Sequence, residues 1–191
     1  MPTLYIISGC NGAGKTTASY TILPEMLNCH EFVNADEIAK GLSPFQPEKS
    51  AIEAGRLMLH RIYELIKRKI DFAFETTLAA KSYAHTVKKA KENDYNVALI
   101  YFWLNTPDLA IERIKNRVSQ GGHNIGEDVI RRRYKKGLEN LFDIFIPICD
   151  YWLVIDNSQT PFIFVAEGEE LISIRIHNES IWNNIKSIKN E

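Results

Sequence analysis

Cysteine is scarce in this 191-residue chain, and its three copies, Cys10, Cys29 and Cys149, fall in no Cys-x-x-Cys spacing. An odd, scattered set argues against a disulfide framework and against a zinc-thiolate site, leaving reduced thiols, with Cys10 filling a variable loop position. No apolar stretch approaches the roughly 20 residues that cross a bilayer, so no membrane association is expected. The chain runs straight into a strand-like segment, which leaves no room for a secretory signal and implies a cytoplasmic protein. An excess of one charge is lacking too. The 23 basic and 24 acidic side chains give a formal net charge of -1, so nucleic-acid binding is not expected and any polyanion site must be local. A guanine-reading Asn-Lys-x-Asp motif is absent, which disfavours a GTP switch. Repeats, low-complexity tracts and linkers are also absent. With 45% hydrophobic residues, the length suits a single domain, 1–191, around a substantial core.

What the chain does have is a complete phosphate-binding loop, Gly9-Cys10-Asn11-Gly12-Ala13-Gly14-Lys15-Thr16, directly after the apolar run Leu4–Ile7. Consecutive backbone N–H groups must curl around a phosphate, and glycine permits that curl without a Cβ clash. Lys15 adds a point charge towards the β- and γ-phosphates. Thr16 offers a hydroxyl to Mg²⁺, and the helix that starts near Gly14 aims its positive end at the same anions. Gly9, Asn11, Gly12, Ala13, Gly14, Lys15, Thr16 and Thr17 are therefore the nucleotide-binding candidates, with ATP and Mg²⁺ as the implied ligands.

Apolar, β-rich runs alternate with helix-patterned stretches, as expected of a parallel sheet wrapped by helices. The pattern predicts strands at Thr3–Ser8, Glu31–Asn34, Phe72–Glu75, Val97–Leu104 and Tyr151–Ile155. Helices are predicted at Lys15–Leu23, Pro47–Lys67, Lys81–Asn93, Pro107–Val118 and Glu127–Phe145. Thr106-Pro107-Asp108 marks one helix start with a capping hydroxyl, a first-turn proline and a carboxylate. Towards the C-terminus, Phe162–Ala166 and Leu171–Ile176 flank Gly168 as a hairpin, and Ile181-Trp182 with Ile185 suggests a closing helix. The expected fold is thus α/β: a three-layer P-loop NTPase with a five-stranded, mainly parallel sheet and a C-terminal hairpin plus helix over about 159–191.

In such sheets ligands bind beyond the carboxyl ends of the strands, which makes the polar residues ending each apolar run the site candidates. Asn34-Ala35-Asp36-Glu37 ends the second run, Glu75-Thr76-Thr77 the third, Asn105 the fourth and Asp156 the fifth. A carboxylate on the strand beside the phosphate loop can hold Mg²⁺ through water or accept a hydroxyl proton, so Asp36 and Glu75 lead. Asp36 also suits the N-cap of a short helix through Ile38-Ala39, and the sequence leaves both roles open. Asp156-Asn157-Ser158 reads as a turn that could reach the nucleotide's edge.

Positive charge gathers after the fourth strand, in Arg113, Arg117 and the run Arg131-Arg132-Arg133-Tyr134-Lys135-Lys136, with Gly121-Gly122 between as a hinge. This reads as an arginine-bearing lid over about 117–136. Arginines delivered by a lid stabilise the charge spread over a transferring phosphoryl group. A helix displays its positions all round, so at least half of that run is a solvated face and one or two residues reach a nucleotide. His123 has no second histidine at metal-ligand spacing.

The phosphate loop, Asn34-Ala35-Asp36, Phe74-Glu75-Thr76-Thr77-Leu78, and Pro107-Asp108-Leu109 leading to Arg117 and an arginine-rich helix resemble the zeta-toxin-like P-loop kinases over about residues 3–158. The resemblance is greatest to a stand-alone bacterial branch often labelled "predicted ABC-type ATPase". The transporter echo in Val118–Gly122 lacks the following strand ending in Asp-Glu. Zeta toxins move the γ-phosphate of ATP to the 3′-hydroxyl of the amino sugar of UDP-N-acetylglucosamine. The resemblance then implies Lys15 and Thr16 on the triphosphate and Mg²⁺, Asp36 as the base, Glu75 and Thr77 on the substrate, and Arg117 at the transferred phosphate. The family's second lid arginine has no clean counterpart; His123 stands near its place and Arg133 is the replacement this sequence offers. An antitoxin is the protein partner implied. Two alternatives stay open: a kinase for a nucleoside, an antibiotic or a nucleic-acid 5′ end, and a nucleotide-dependent binding protein that phosphorylates nothing.

Overall fold

Seven strands form one sheet in the order β2-β3-β1-β4-β5-β6-β7. The computed structural model describes residues 1–122, 124–169 and 173–190. The strands are β1 (Thr3–Ser8), β2 (Phe32–Val33), β3 (Phe72–Thr76), β4 (Asn96–Trp103), β5 (Tyr151–Asp156), β6 (Ile163–Glu169) and β7 (Ser173–Ile176). The helices are α1 (Lys15–Thr21), α2 (Ala35–Leu42), α3 (Ala51–Arg68), α4 (Tyr83–Lys91), α5 (Pro107–Ser119), α6 (Glu127–Asn140), α7 (Ile146–Ile148) and α8 (Glu179–Asn190). The first five strands are parallel, as expected, and β6 and β7 extend the same sheet antiparallel, making seven strands rather than five.

Alternation along each strand builds two cores. Leu4 and Ile6 of β1 face one side, with Phe72, Phe74, Leu99, Trp152 and Val154, under α3, α4 and α8. Ile7 faces the other side with Ala73, Ile100, Phe102 and Ile155, beneath α1 and α5. Such two-sided burial explains why β4, NVALIYFW, reads as an almost unbroken apolar run. Helix α6 crosses between the layers, giving Leu138 to the first core and Ile130 and Tyr134 to the second.

Several predicted boundaries move for local reasons. Helix α1 ends at Thr21 and continues as a wider turn over Ile22–Met26, which contains Pro24. Proline has no N–H to continue an α-helical ladder. A short helix, α2, follows β2 as the capping reading of Asp36 implies, but its cap is Asn34, whose side chain accepts from Asp36 N and Glu37 N. Asp36 therefore does not cap it. Thr106 does cap α5 as expected, accepting from Leu109 N at 3.1 Å. Gly121 and Gly122 end α5, their N–H groups donating to the carbonyls of Val118 and Arg117. Gly168, expected at the hairpin turn, lies inside β6 opposite Trp152, whose indole stacks on Trp182 of α8 at 5.7 Å. His123 and Leu171 lie outside the described residues. Among the described residues no helix is long and apolar enough to cross a membrane, and the three cysteines are free and buried, with burial raising Cys10 and Cys29 to about 11 and Cys149 to about 12.

Lateral order corrects another expectation. Strand β2 does not flank the phosphate-loop strand; β3 lies between them, paired to β1 through Ile7↔Glu75 and Ser8↔Thr76. The connection from β1 to β2 skips one position, and α3 returns the chain to fill it.

Gly137 lets α6 approach the segment after β3 so closely that a Cβ there would lie 2.5 Å from the Thr77 carbonyl oxygen. Helix propensity alone favours Gly137→Ala by about 1 kcal/mol, but the contact forces α6 away from that backbone. The expected result is a loss of about 1–3 kcal/mol of stability, read as a fall of several degrees in Tm. An unchanged or higher Tm in thermal unfolding would contradict it.

Candidate active site

The loop after β1 takes its shape from backbone that a side chain would block. Gly9 has φ +135°, and a Cβ there would fall 2.2 Å from the Phe102 carbonyl oxygen. Behind it, Asn157 Nδ2 donates to the Ala13 carbonyl at 2.8 Å, so the turn after β5 braces the loop. That turn is built as expected: Ser158 N donates to Asp156 Oδ1 at 2.8 Å, and Arg113 Nη2 donates to the Ser158 carbonyl at 3.1 Å.

At the end of β3, the Glu75 carboxylate gathers the polar side chains. Lys15 Nζ lies 3.4 Å from Glu75 Oε1, with the two side chains 5% and 11% exposed. Thr16 Oγ1 donates to Glu75 Oε2 at 2.7 Å, and Asn34 Nδ2 donates to the same oxygen at 3.0 Å. Lys15 Nζ also donates to the Cys10 carbonyl at 3.0 Å. A carboxylate this far from water is tolerable because a cation and two donors face it. Asn34 was the site residue that sequence patterning did not single out; it was visible only as part of a motif.

Two adjoining clefts meet at this carboxylate. One, of about 400 Å³, is walled by Gly12, Gly14, Lys15, Thr16, Arg113 and Arg117. The other, of about 440 Å³, includes Thr77, Ala80, Tyr83, Arg132, Arg133 and Lys136. Asn11, Lys15, Asp36 and Glu75 line both. The structure thus brings Asp36, Glu75, Thr77 and Arg133 to one cleft, and places Arg117 with Thr16 and Thr17 in its neighbour. Arg133 reaches the phosphate loop directly, Nη1 donating to Asn11 Oδ1 at 3.1 Å. The basic run divides as helical geometry requires: Arg132, Arg133 and Lys136 face the cleft. Arg131 pairs with Asp108, and Tyr134 is buried with its hydroxyl on the Leu104 carbonyl at 2.7 Å. Burial pushes that phenol well above its ordinary range.

The loop forming the second cleft's floor is held from α6. Leu78 adopts φ +57°, costly for a residue with a Cβ, and Asn140 Nδ2 donates to its carbonyl at 2.7 Å while Thr76 Oγ1 accepts from its N–H at 3.1 Å.

The residues present fit a magnesium nucleotide: a glycine-shaped anion cradle, a buried lysine and a threonine hydroxyl at the first helical turn. Among the described residues no group of three or more histidine, cysteine or acidic side chains could itself hold a metal.

With a phosphate loop at the end of β1, acidic groups on the adjoining strand ends and arginines on α5 and α6, fold and site define a P-loop kinase architecture. A family model for "Zeta toxin" matches residues 1–145, and this chain belongs to that family. An uncharacterized protein of Haemophilus influenzae is 36% identical over 126 residues, covering 66% of this chain and 88% of its own. Among solved structures, the AvrRxo1-ORF1:ORF2 complex with ATP superposes with TM-score 0.71 at 16% identity, over 99% of this chain. This chain spans 64% of that one's length. A structure of the PezAT chromosomal toxin–antitoxin system of Streptococcus pneumoniae gives TM-score 0.64 at 15% identity, covering 100% of this chain and 86% of the other. These two likenesses show the shared fold.

Lys15→Ala removes a charge-assisted contact from a water-poor cradle. ATP affinity measured by calorimetry should fall about 10- to 100-fold, the equivalent of roughly 1.5–3 kcal/mol. Wild-type affinity in the variant would mean that the nucleotide lies elsewhere.

Proposed function

We propose that this chain is an ATP-dependent phosphotransferase that moves the γ-phosphoryl group to a hydroxyl of a small acceptor, with a UDP-amino sugar such as UDP-N-acetylglucosamine as that acceptor. The observation carrying the reading is that Asp36 lines both clefts, at the seam between the phosphate loop and the Thr77–Tyr83 side. A base is needed at such a seam. Asp36 is exposed at the first turn of α2, with its backbone N–H already bonded by Asn34, so its carboxylate remains available to an acceptor hydroxyl.

In this reading Lys15 and the loop N–H groups hold the β- and γ-phosphates, while Glu75 and Thr77 orient the acceptor. Asp36 takes the hydroxyl proton as the acceptor oxygen forms its bond to γ-phosphorus and the bond to the β-phosphate oxygen breaks, releasing ADP. Mg²⁺ at Thr16 would offset charge on the phosphates. Arg117, from the nucleotide side, and Arg133, already against Asn11, neutralise the charge spread over the transferred group. The acceptor assignment draws on the family together with the cations Arg132, Arg133 and Lys136 in the second cleft, which suit an acceptor bearing a diphosphate. The toxin–antitoxin system among the similar structures supports an antitoxin as a protein partner, and dependence on ATP supports a cytoplasmic setting.

Asp36→Asn separates binding from chemistry. ATP affinity should stay near wild type while kcat falls roughly 10²- to 10⁴-fold, the usual contribution of a positioned base. A full-rate variant would remove Asp36 from the mechanism.

Acceptor identity is tested separately by incubating the protein with Mg²⁺, ATP and a panel of UDP-sugars, nucleosides, aminoglycosides and 5′-hydroxyl oligonucleotides, with products read by mass. A gain of one phosphate on UDP-N-acetylglucosamine is expected. Phosphorylation of another panel member alone would overturn the acceptor and keep the kinase; ATP binding without any product would favour a nucleotide-dependent binding protein.

A further inference from the structure

We propose that Asn34 is a positioning residue that sets the Asp36 carboxylate relative to Glu75, so that one amide ties the acceptor side of the cleft to the nucleotide side. The inference rests on the kinase reading above. Asn34 is buried, 6% exposed, immediately after β2. Its Oδ1 accepts from Asp36 N at 2.8 Å and Glu37 N at 3.4 Å, and its Nδ2 donates to Glu75 Oε2 at 3.0 Å. That same oxygen accepts from Thr16 Oγ1 at 2.7 Å. A continuous chain of hydrogen bonds therefore runs from the threonine of the phosphate loop, through Glu75 and Asn34, to the backbone of Asp36.

Residue chemistry explains why an asparagine serves here. The partners determine the amide's orientation, since a flip would set its NH₂ against two N–H donors and its oxygen against a carboxylate. Serine, threonine or aspartate would cap α2 about as well. Serine and threonine are too short to span the remaining distance, and aspartate would place a second carboxylate against Glu75. Capping alone does not select the amide; bridging does. The bridge also supplies rigidity the sheet cannot. Strand β2 is two residues long, at the sheet's edge, with only Phe32 and Val33 in register with β3. Helix α2 is packed through Ala35 and Ile38 on the core, and the Asn34 amide adds to that packing a direct tie from its first turn to Glu75.

The test compares Asn34→Ser, which keeps the cap and loses the reach to Glu75, with Asn34→Asp, which keeps size and cap and loses the donor. Both are read in wild-type and Asp36→Asn backgrounds. In the wild-type background kcat should fall about 10- to 100-fold while the KM for ATP rises by less than about tenfold. In the Asp36→Asn background the same substitutions should cost less than about threefold, because a residue acting through Asp36 has little left to act on. Equal losses in both backgrounds would overturn the link to Asp36. A second measurement needs no turnover: calorimetry of a non-hydrolysable ATP analogue with and without Mg²⁺. The gain in affinity that Mg²⁺ confers should drop at least about threefold in both Asn34 variants and stay at the wild-type value in Asp36→Asn. An unchanged gain in the Asn34 variants would overturn the link to Glu75. Should the wild-type protein transfer no phosphate to any acceptor, the kinase reading fails, and the link to Asp36 fails with it, while the calorimetric comparison still decides the link to Glu75.

Discussion

A single carboxylate at the end of β3 holds the site together. Glu75 receives Lys15 and Thr16 from the phosphate loop and its helix, and Asn34 from the start of α2, drawing three stretches of chain to one point. Burying a charge is expensive, and this one is matched by a cation and two donors. The arrangement also places Glu75 in competition with a nucleotide, since Lys15 and Thr16 are the groups an incoming triphosphate would use. The shape of the site and the pairing of its polar groups thus both rest on contacts within the chain.

Helix α6 provides the second constraint. Through Gly137 it packs on the Thr77 backbone, and through Asn140 it holds the left-handed Leu78. Through Arg133 it touches Asn11, and through Tyr134 it anchors to the end of β4. Strain at Leu78 is stable only because those bonds over-determine it. The loop after β3 and the arginine beside the phosphate loop are consequently both fixed by α6, and a displacement of α6 alters the second cleft together with Asn11, which lines both. The basic residues predicted as a lid are divided between this helix and α5, where Gly121 and Gly122 serve to end the helix.

Much of this was legible in the chain. The phosphate loop, the five parallel strands and the Thr106 cap follow from local chemistry: glycine where backbone must curl, apolar residues where both sheet faces are covered, a hydroxyl before a proline. What escaped was short or non-local. The cap of helix α2 lies inside a segment that reads as strand end, so it was sought at Asp36 and Asn34 passed as an ordinary member of a motif. Strands β6 and β7 were seen as a separate hairpin because nothing in their composition says which edge they join. Gly168, conspicuous as a turn residue, is opposite a tryptophan instead.

The sequence by itself determined that a phosphate-binding loop follows the first strand, that an α/β sheet surrounds it, that acidic and polar residues follow the strands and that basic residues gather on the helices after the fourth. Those are properties of neighbouring residues, and backbone geometry and periodicity read them directly. Only the tertiary structure decided that β3 and not β2 lies beside the loop, so that Glu75 rather than Asp36 contacts Lys15, and that Arg133 is the residue of its run to meet Asn11. Those contacts join positions 59, 41 and 122 residues apart for Thr16–Glu75, Asn34–Glu75 and Asn11–Arg133. The order of strands along a chain does not specify their order across a sheet; that is chosen by which helices cover which faces, a property of the packed whole.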